Sequence, residues 1–375
     1  MRHRSDVSYV WSSLARTYDR VAGLLAPEAA SYIAYPELAS SPAFSPRHLE
    51  TIEVDFYRRD RAYRAQLADA IRRTGVGLVV YMNAPAAEVP GGVLRRWGVR
   101  TLNGEQDQLR ANPCQSRLKW WAKWLLRSGL GVGLHDVHLA VSQHGRRYLR
   151  EFAGFPERRL VTVVNGVDTQ QYGPGPPPCP ADLGLPGTDA YAVGVFQARP
   201  EKRGDFLLEV ARQVFARRPQ LSLTFVHVGG GPCAEAWQTT ASAWGLAERF
   251  RFVPVQRDAA PFHRLASLLV HAAERENLPF AVLEAMATGK PVVASRIPAT
   301  EELIRDGETG FLLDLEDVDG FAAAVLRLVD DPSLRERLGQ AGRERVLRDY
   351  TLDQQARQLC QVIRQQLSSG RCRKP

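Results

Sequence analysis

No apolar run in this 375-residue chain approaches the roughly 20 residues that a helix needs to cross a bilayer, so a helical membrane protein is not expected. The opening MRHRSDVSYVW lacks the apolar core of a signal peptide. Cysteine is scarce: Cys114, Cys179, Cys233, Cys360 and Cys372 form no CxxC pair and adjoin no His-rich run, so neither a zinc site nor a disulfide framework is indicated. A reducing, cytoplasmic location is expected. No internal repeat occurs beyond a duplicated alternation of strands and helices. Acids are outnumbered, 41 against 49 Lys and Arg, which leaves a net charge of +8. That surplus suggests an anionic partner, whether a nucleoside diphosphate, a nucleic acid or an acidic lipid, and charge alone does not choose among them. The rest is ordinary for a globular chain: 45% hydrophobic and 24% charged residues, in a length that suits two domains of about 100 to 200 residues.

In the first half, apolar runs at 7–11, 31–35, 51–56, 76–82 and 138–142 read as strands. Helical spacing separates them, as in 61–73, where Tyr63, Leu67, Ala70 and Ile71 recur on one face. This alternation predicts a parallel, doubly wound α/β sheet. The stretch YGPGPPPCP at 172–180 is too rich in Pro and Gly for either element and reads as a connector. Beyond it the alternation restarts, with strands at 192–196, 221–228, 250–255, 268–271 and 291–295. Two domains are therefore expected, over 1–168 and 189–350, joined by a linker over 169–188.

The segment ENLPFAVLE, bounded by Glu276 and Glu284, narrows the function most. Glu276 stands in a turn-like run, and Glu284 lies a turn into an apolar helix that Pro279 can start. The first N–H groups of such a helix are unpaired and partly positive, so a phosphate or hydroxyl can dock there between two carboxylates. An ionised carboxylate only accepts hydrogen bonds, which suits the vicinal hydroxyls of a sugar or ribose. An isolated pair of this kind is usually an amphipathic helix with solvated ends. Here the helix is followed by Gly289-Lys290-Pro291 and a buried strand, the α/β setting in which ligands collect.

The Glu-x7-Glu spacing resembles that of retaining glycosyltransferases of family 4, which have the GT-B fold. Further segments agree in order: Asn165-Gly166-Val167-Asp168, Pro200-Glu201-Lys202, Val228-Gly229-Gly230-Gly231 and the run DGETGFL at 306–312. The likeness covers residues 138–350. It implies α/β architecture of the GT-B type, two Rossmann-like doubly wound domains facing a central cleft, with a last helix over 351–368 packing back on the first domain. It further implies that Glu284 holds the nucleotide ribose, Glu276 orients the donor sugar and Lys202 binds phosphate. The N–H groups around Asn277, Leu278 and Phe280 would meet the sugar or β-phosphate. The family usually places an Arg five residues before this Lys, where Gln197 stands here as a donor-binding candidate: either Arg199 substitutes from a shifted turn, the favoured outcome, or the phosphate site is weakened.

Other features carry two readings each. Lys202 without the resemblance would be a surface lysine before a helix. By the resemblance Gly229 and Gly231 are donor-binding residues; Gly229 to Gly231 also fit a dinucleotide-type turn, with Asp258 the nearest acid for a ribose, yet a glycine turn equally lets sheet and helix pack closely. The segment 101–107 occupies the region where the family often has an acceptor-side His or acid. It has no His, leaving Glu105 and Asp107, which could equally be solvated turn formers. The glycine-rich loop after the family's first strand is replaced by Trp11-Ser12-Ser13. In 117–127, at about 100° per residue, Trp120, Lys123, Trp124 and Arg127 share a face suited to anionic lipid, although a helix packed between protein layers fits as well.

The sequence is accordingly read as a retaining glycosyltransferase. It would use a nucleotide diphosphate sugar, need neither metal nor organic cofactor, and act on an unidentified polysaccharide, lipid-linked or small-molecule acceptor. Nucleic acid is not an expected partner, and a peripheral contact with the inner face of the membrane through 117–127 is compatible with it. Two alternatives remain at this point: a nucleotide-sugar-binding protein without transferase activity, and a nucleotide-sugar epimerase on the same fold.

Overall fold

The computed structural model describes residues 9–37, 45–58, 60–61, 63–84, 88–105, 125 and 135–368. Its contacts divide the chain into two units, Met1–Asn165 with Asp353–Pro375, and Gly166–Leu352. Among the described residues, no helix is long and apolar enough to cross a membrane.

In the first unit, β1 (Tyr32–Tyr35) and β2 (Glu50–Glu53) form a parallel pair. β3 (Leu78–Met82), β4 (Arg100–Glu105), β5 (Val137–Ala140) and β6 (Leu160–Thr162) form a four-stranded parallel sheet in chain order. The helices Tyr9–Leu25 and Leu352–Ser368 share an apolar cluster with this sheet: Val21 and Leu25 meet Leu102, Val137 and Leu139, joined by Leu359, Cys360 and Ile363. Arg20 Nε donates to Asp353 Oδ1 at 2.7 Å on the exposed side of the two helices. Asp19 points the other way, and its Oδ1 accepts the N–H groups of Arg47, His48 and Leu49 at 2.8, 2.7 and 3.3 Å. One buried side chain thereby holds the turn that leads into β2.

Two expectations fail here. Residues 9–11 of the predicted strand 7–11 belong to the helix Tyr9–Leu25, so Trp11-Ser12-Ser13 is not a loop after a strand. The decisive pattern is the longer one: Leu14, Ala15, Val21, Ala22 and Leu25 are buried on one face, recurring at intervals of seven, four and three, a period that five residues cannot display. Within the segment 101–107, Glu105 is not a turn former, because Arg100–Glu105 is an interior strand of the sheet. Its Asn and Gly are poor strand formers, but pairing on both sides with β3 and β5 overrides propensity.

The second unit holds six parallel strands: β7 (Ala190–Val195), β8 (Leu223–Val228), β9 (Phe250–Val253), β10 (Leu268–His271), β11 (Val292–Ser295) and β12 (Gly310–Leu313). Their spatial order is β12-β11-β10-β7-β8-β9. This is the doubly wound order in which the direction of winding reverses between the first and fourth strands, here β7 and β10. β7, β8, β10 and β11 are buried at every residue, as expected of parallel strands covered on both faces. The helix Gly204–Arg217 buries Phe206, Leu207, Leu208, Val210, Ala211 and Val214 in the main core, a continuous period-3.6 face. No regular element occupies residues 173–179, where Pro and Gly concentrate.

Candidate functional site

Reversal of winding between β7 and β10 opens a crevice at their carboxyl ends, because the following helices leave on opposite faces of the sheet. Two chain segments enter it. After β7 come Gln197, Arg199, the 3-10 turn Pro200–Lys202 and Arg203, before the helix Gly204–Arg217. After β10 come residues 272–279 and the helix Phe280–Ala287, which has Pro279 at its N-cap and no side-chain cap.

These two segments are stitched together. The Glu274 N–H donates to the Glu201 carbonyl at 2.9 Å. Arg203 Nη1 donates to Glu274 Oε1 at 3.1 Å, from a backbone at φ 49. Lys202 Nζ donates to Glu276 Oε1. Residues 202 and 276, far apart in sequence, thus form one ion pair at the crevice, with side chains 19% and 16% exposed.

His271, the last residue of β10, lies on the other side of Glu276, with Nε2 3.3 Å from the same Oε1. That approach is a close polar contact, but it is out of line for a strict hydrogen bond. Burial by itself would push the Glu276 carboxyl upward. The Lys202 charge and the neighbouring imidazole outweigh it and hold the group at about 2, so it is ionised at neutral pH.

Glu284 is the fifth residue of its helix and 1% exposed. Its Oε2 lies 3.2 Å from Nε2 of His263, itself fully buried on the helix Ala260–Leu265. Each glutamate of the pair therefore faces a buried histidine. Neither histidine was singled out from sequence, and nor was Arg203. The only signal is a titratable residue within apolar runs, LLVH and APFHRL, which core histidines share.

The remaining predicted residues are more dispersed. Gln197 is exposed, and Arg199 is 45% exposed with Nη1 4.0 Å from Glu201, so neither joins the Lys202–Glu276 pair. Asn277 and Leu278 are buried beside Pro279, and Phe280 is half-buried. Gly229 and Gly231 have positive φ values of 153° and 146°. A methyl group on Gly229 would overlap the Phe196 carbonyl oxygen, and one on Gly231 would overlap that of Ala198. Ala198 N–H donates to the Gly230 carbonyl at 2.8 Å, and Cys233 N–H to the Ala198 carbonyl at 2.9 Å. Close packing against the segment after β7 accounts for these glycines. Asp258 is taken up locally, accepting from Gln171 at 2.8 Å and from the Ala260 N–H at 3.0 Å. Glu105 ends β4, whereas Asp107 and, apart from Leu125, the segment 117–127 lie outside the described residues. Among the described residues no cluster of three or more His, Cys, Asp or Glu could hold a metal ion.

Comparison with known proteins adds identity to this geometry. A family model described as Glycosyltransferase Family 4 matches residues 14–171, and one described as Glycosyl transferases group 1 matches residues 188–331. D-inositol 3-phosphate glycosyltransferase of Streptomyces avermitilis is 34% identical over 197 residues, 49% of this chain and 42% of that protein. The GDP-mannose-dependent α-(1-6)-phosphatidylinositol monomannoside mannosyltransferase of Mycolicibacterium smegmatis is 31% identical over 245 residues, 61% of this chain and 62% of that protein. The chain thus spans about half the length of the curated relatives it matches. Anabaena HepE, solved in complex with UDP and glucose, superposes with a TM-score of 0.76 over 96% of this chain and 98% of that one, at 17% identity. At that identity the likeness is one of fold.

Proposed function

We propose that this chain, which belongs to glycosyltransferase family 4 and has the GT-B fold, transfers a sugar from a nucleoside diphosphate sugar to an acceptor nucleophile, with retention at the anomeric carbon. The observation that carries this reading is the Lys202–Glu276 pair at the carboxyl ends of β7 and β10, where an α/β sheet of this order receives its ligand. A cation and an ionised acid, side by side at that point, suit the two halves of such a donor. The ammonium meets the diphosphate, and the carboxylate accepts from sugar hydroxyls.

In this reading the bond from the anomeric carbon to the leaving phosphate oxygen breaks, while the acceptor oxygen bonds the same carbon on the same face. The acceptor proton passes to the departing phosphate, so no separate general base is required. The protein supplies charge stabilisation of the leaving group, the largest contribution in reactions of this kind. Lys202 carries that charge, Arg199 adds to it from the rim, and the N–H groups from Phe280 onward add the partial charge of a helix start. Glu284, held by His263, meets the ribose, Gln197 lies on the phosphate-side segment with Lys202, and Asn277 and Leu278 border the sugar end. Gly229 and Gly231 serve the donor indirectly, by seating the segment that bears Lys202. Neutralisation by protein cations makes the reaction independent of a metal or organic cofactor. Glu105 and Asp107 stay assigned to the acceptor side. The relatives' names include inositol-bearing acceptors, which makes that class the first to test.

The test is release of nucleoside diphosphate from a panel of nucleotide sugars, with and without EDTA, and the anomeric configuration of any product by NMR. Slow release without acceptor, faster release with one, insensitivity to EDTA and a retained anomeric centre are expected. Donor binding with no release would favour the non-catalytic alternative, and a changed sugar with no net loss of donor the epimerase.

A further inference from the structure

The Lys202–Glu276 pair poses a difficulty for the proposed reaction, and its resolution points to a third residue. The Lys202 ammonium donates to Glu276 Oε1. A donor diphosphate draws that same ammonium away. Glu276, with its side chain only 16% exposed, would then lose its full cationic partner where burial opposes its charge. An unpaired carboxylate in such a place takes up a proton, and a protonated carboxyl no longer accepts from sugar hydroxyls on both oxygens.

His271 is placed to prevent this. It is 2% exposed and anchored at the end of β10, with the strand paired to β11 up to Ala294. Its Nε2 stands 3.3 Å from the oxygen that Lys202 holds, and among the described residues that nitrogen has no hydrogen-bond partner. Nδ1 of His135 and of His227 is likewise without a partner among the described residues, but the His271 nitrogen is the one of these that lies beside a carboxylate of the Glu276–Glu284 segment. A small rotation of the carboxylate would bring Oε1 into line with it. We infer that His271 is a positioning residue, which takes over Glu276 when Lys202 turns to the donor phosphate and keeps the carboxylate ionised and aimed at the sugar. The inference rests on the proposed donor site but goes beyond it, because nothing in the Glu-x7-Glu spacing calls for a histidine.

The experiment compares two amides of different reach in the full chain. In His271→Gln the amide nitrogen extends to about the position of Nε2, whereas in His271→Asn it stops short, near the place of Nδ1. Turnover is measured as kcat and KM for the donor sugar, and nucleoside diphosphate affinity is measured separately by calorimetry. His271→Asn should lose kcat by about 10-fold or more, the scale of a lost hydrogen bond to a charged group. Its nucleoside diphosphate affinity should stay within about threefold of wild type, and His271→Gln should recover most of the rate. Wild-type kcat in His271→Asn would overturn the inference and leave the donor site intact. Equal losses in both variants, with nucleoside diphosphate affinity falling in step, would overturn it in favour of a structural role. Absence of donor turnover in the wild-type protein would remove the functional reading and this inference together.

Discussion

Two buried histidines contribute to how this protein responds to acid. His227 donates Nε2–H to the Phe196 carbonyl at 3.0 Å, and His135 donates to the Ala84 carbonyl at 2.8 Å. In each, Nδ1 has no partner among the described residues. Burial lowers both from the ordinary 6.5 to about 4, despite those hydrogen bonds. In that interval the unfolded chain binds protons that the folded chain refuses, so stability is full above pH 6.5 and falls as pH drops towards 4. Each group contributes on the order of 3 kcal/mol over the whole interval. Thermal melting should therefore show a falling midpoint from pH 7 to pH 5, and the slope should be shallower in His227→Gln. A midpoint flat across that range would contradict this assignment. Glu276 acts in a different window: its folded value of about 2 lies below the ordinary 4.5, so its contribution is complete above pH 4.5 and is lost only as pH falls towards 2. The two glutamates are conspicuous in sequence because eight positions and a helix start separate them. Their histidine neighbours are not, because His263 and His271 reach them from a different helix and from a strand end that only the folded sheet brings near.

At the scale of elements, the segment after β7 depends on the glycine turn after β8. Gly231→Ala would force a side chain against the Ala198 carbonyl at a φ of 146°, with backbone rather than a flexible side chain as the obstacle. The expected cost is about 2 kcal/mol or more in urea unfolding, with donor turnover falling further because Lys202 lies on the displaced segment. Unchanged stability and turnover would show that the turn can yield. In the first unit, Asp19→Ala removes the acceptor of three N–H groups and should cost about 2 to 3 kcal/mol, read by the same method. A cost below about 0.5 kcal/mol, the range of ordinary surface changes, would mean that water replaces it. Long, evenly spaced patterns such as Tyr63–Thr74 and the apolar strands β7, β8, β10 and β11 were legible in sequence. β4 was not, since its Asn and Gly carry little strand preference and its identity comes from the strands on either side. The helix Tyr9–Leu25 was misread from its first residues, where the period had not yet declared itself.

At the scale of the whole molecule, the fold was visible in the alternation and restart of strands and helices, because parallel sheets demand crossover helices. The chemistry was visible only where one short segment carries two acids and a helix start. The surplus of positive charge, +8, fits a diphosphate ligand and predicts that donor binding weakens as salt rises. Acceptor identity was not legible, since neither composition nor spacing fixes which hydroxyl arrives. The central claim is that Lys202 and Glu276 together form the donor site. Its most direct measurement is nucleoside diphosphate release by Glu276→Gln and Lys202→Ala beside the wild-type protein, with melting temperatures recorded in parallel. The account predicts that both variants still fold cooperatively, melt below the wild type because the ion pair is lost, and lose turnover by about 100-fold or more. Folded variants that turn over donor at the wild-type rate would contradict it.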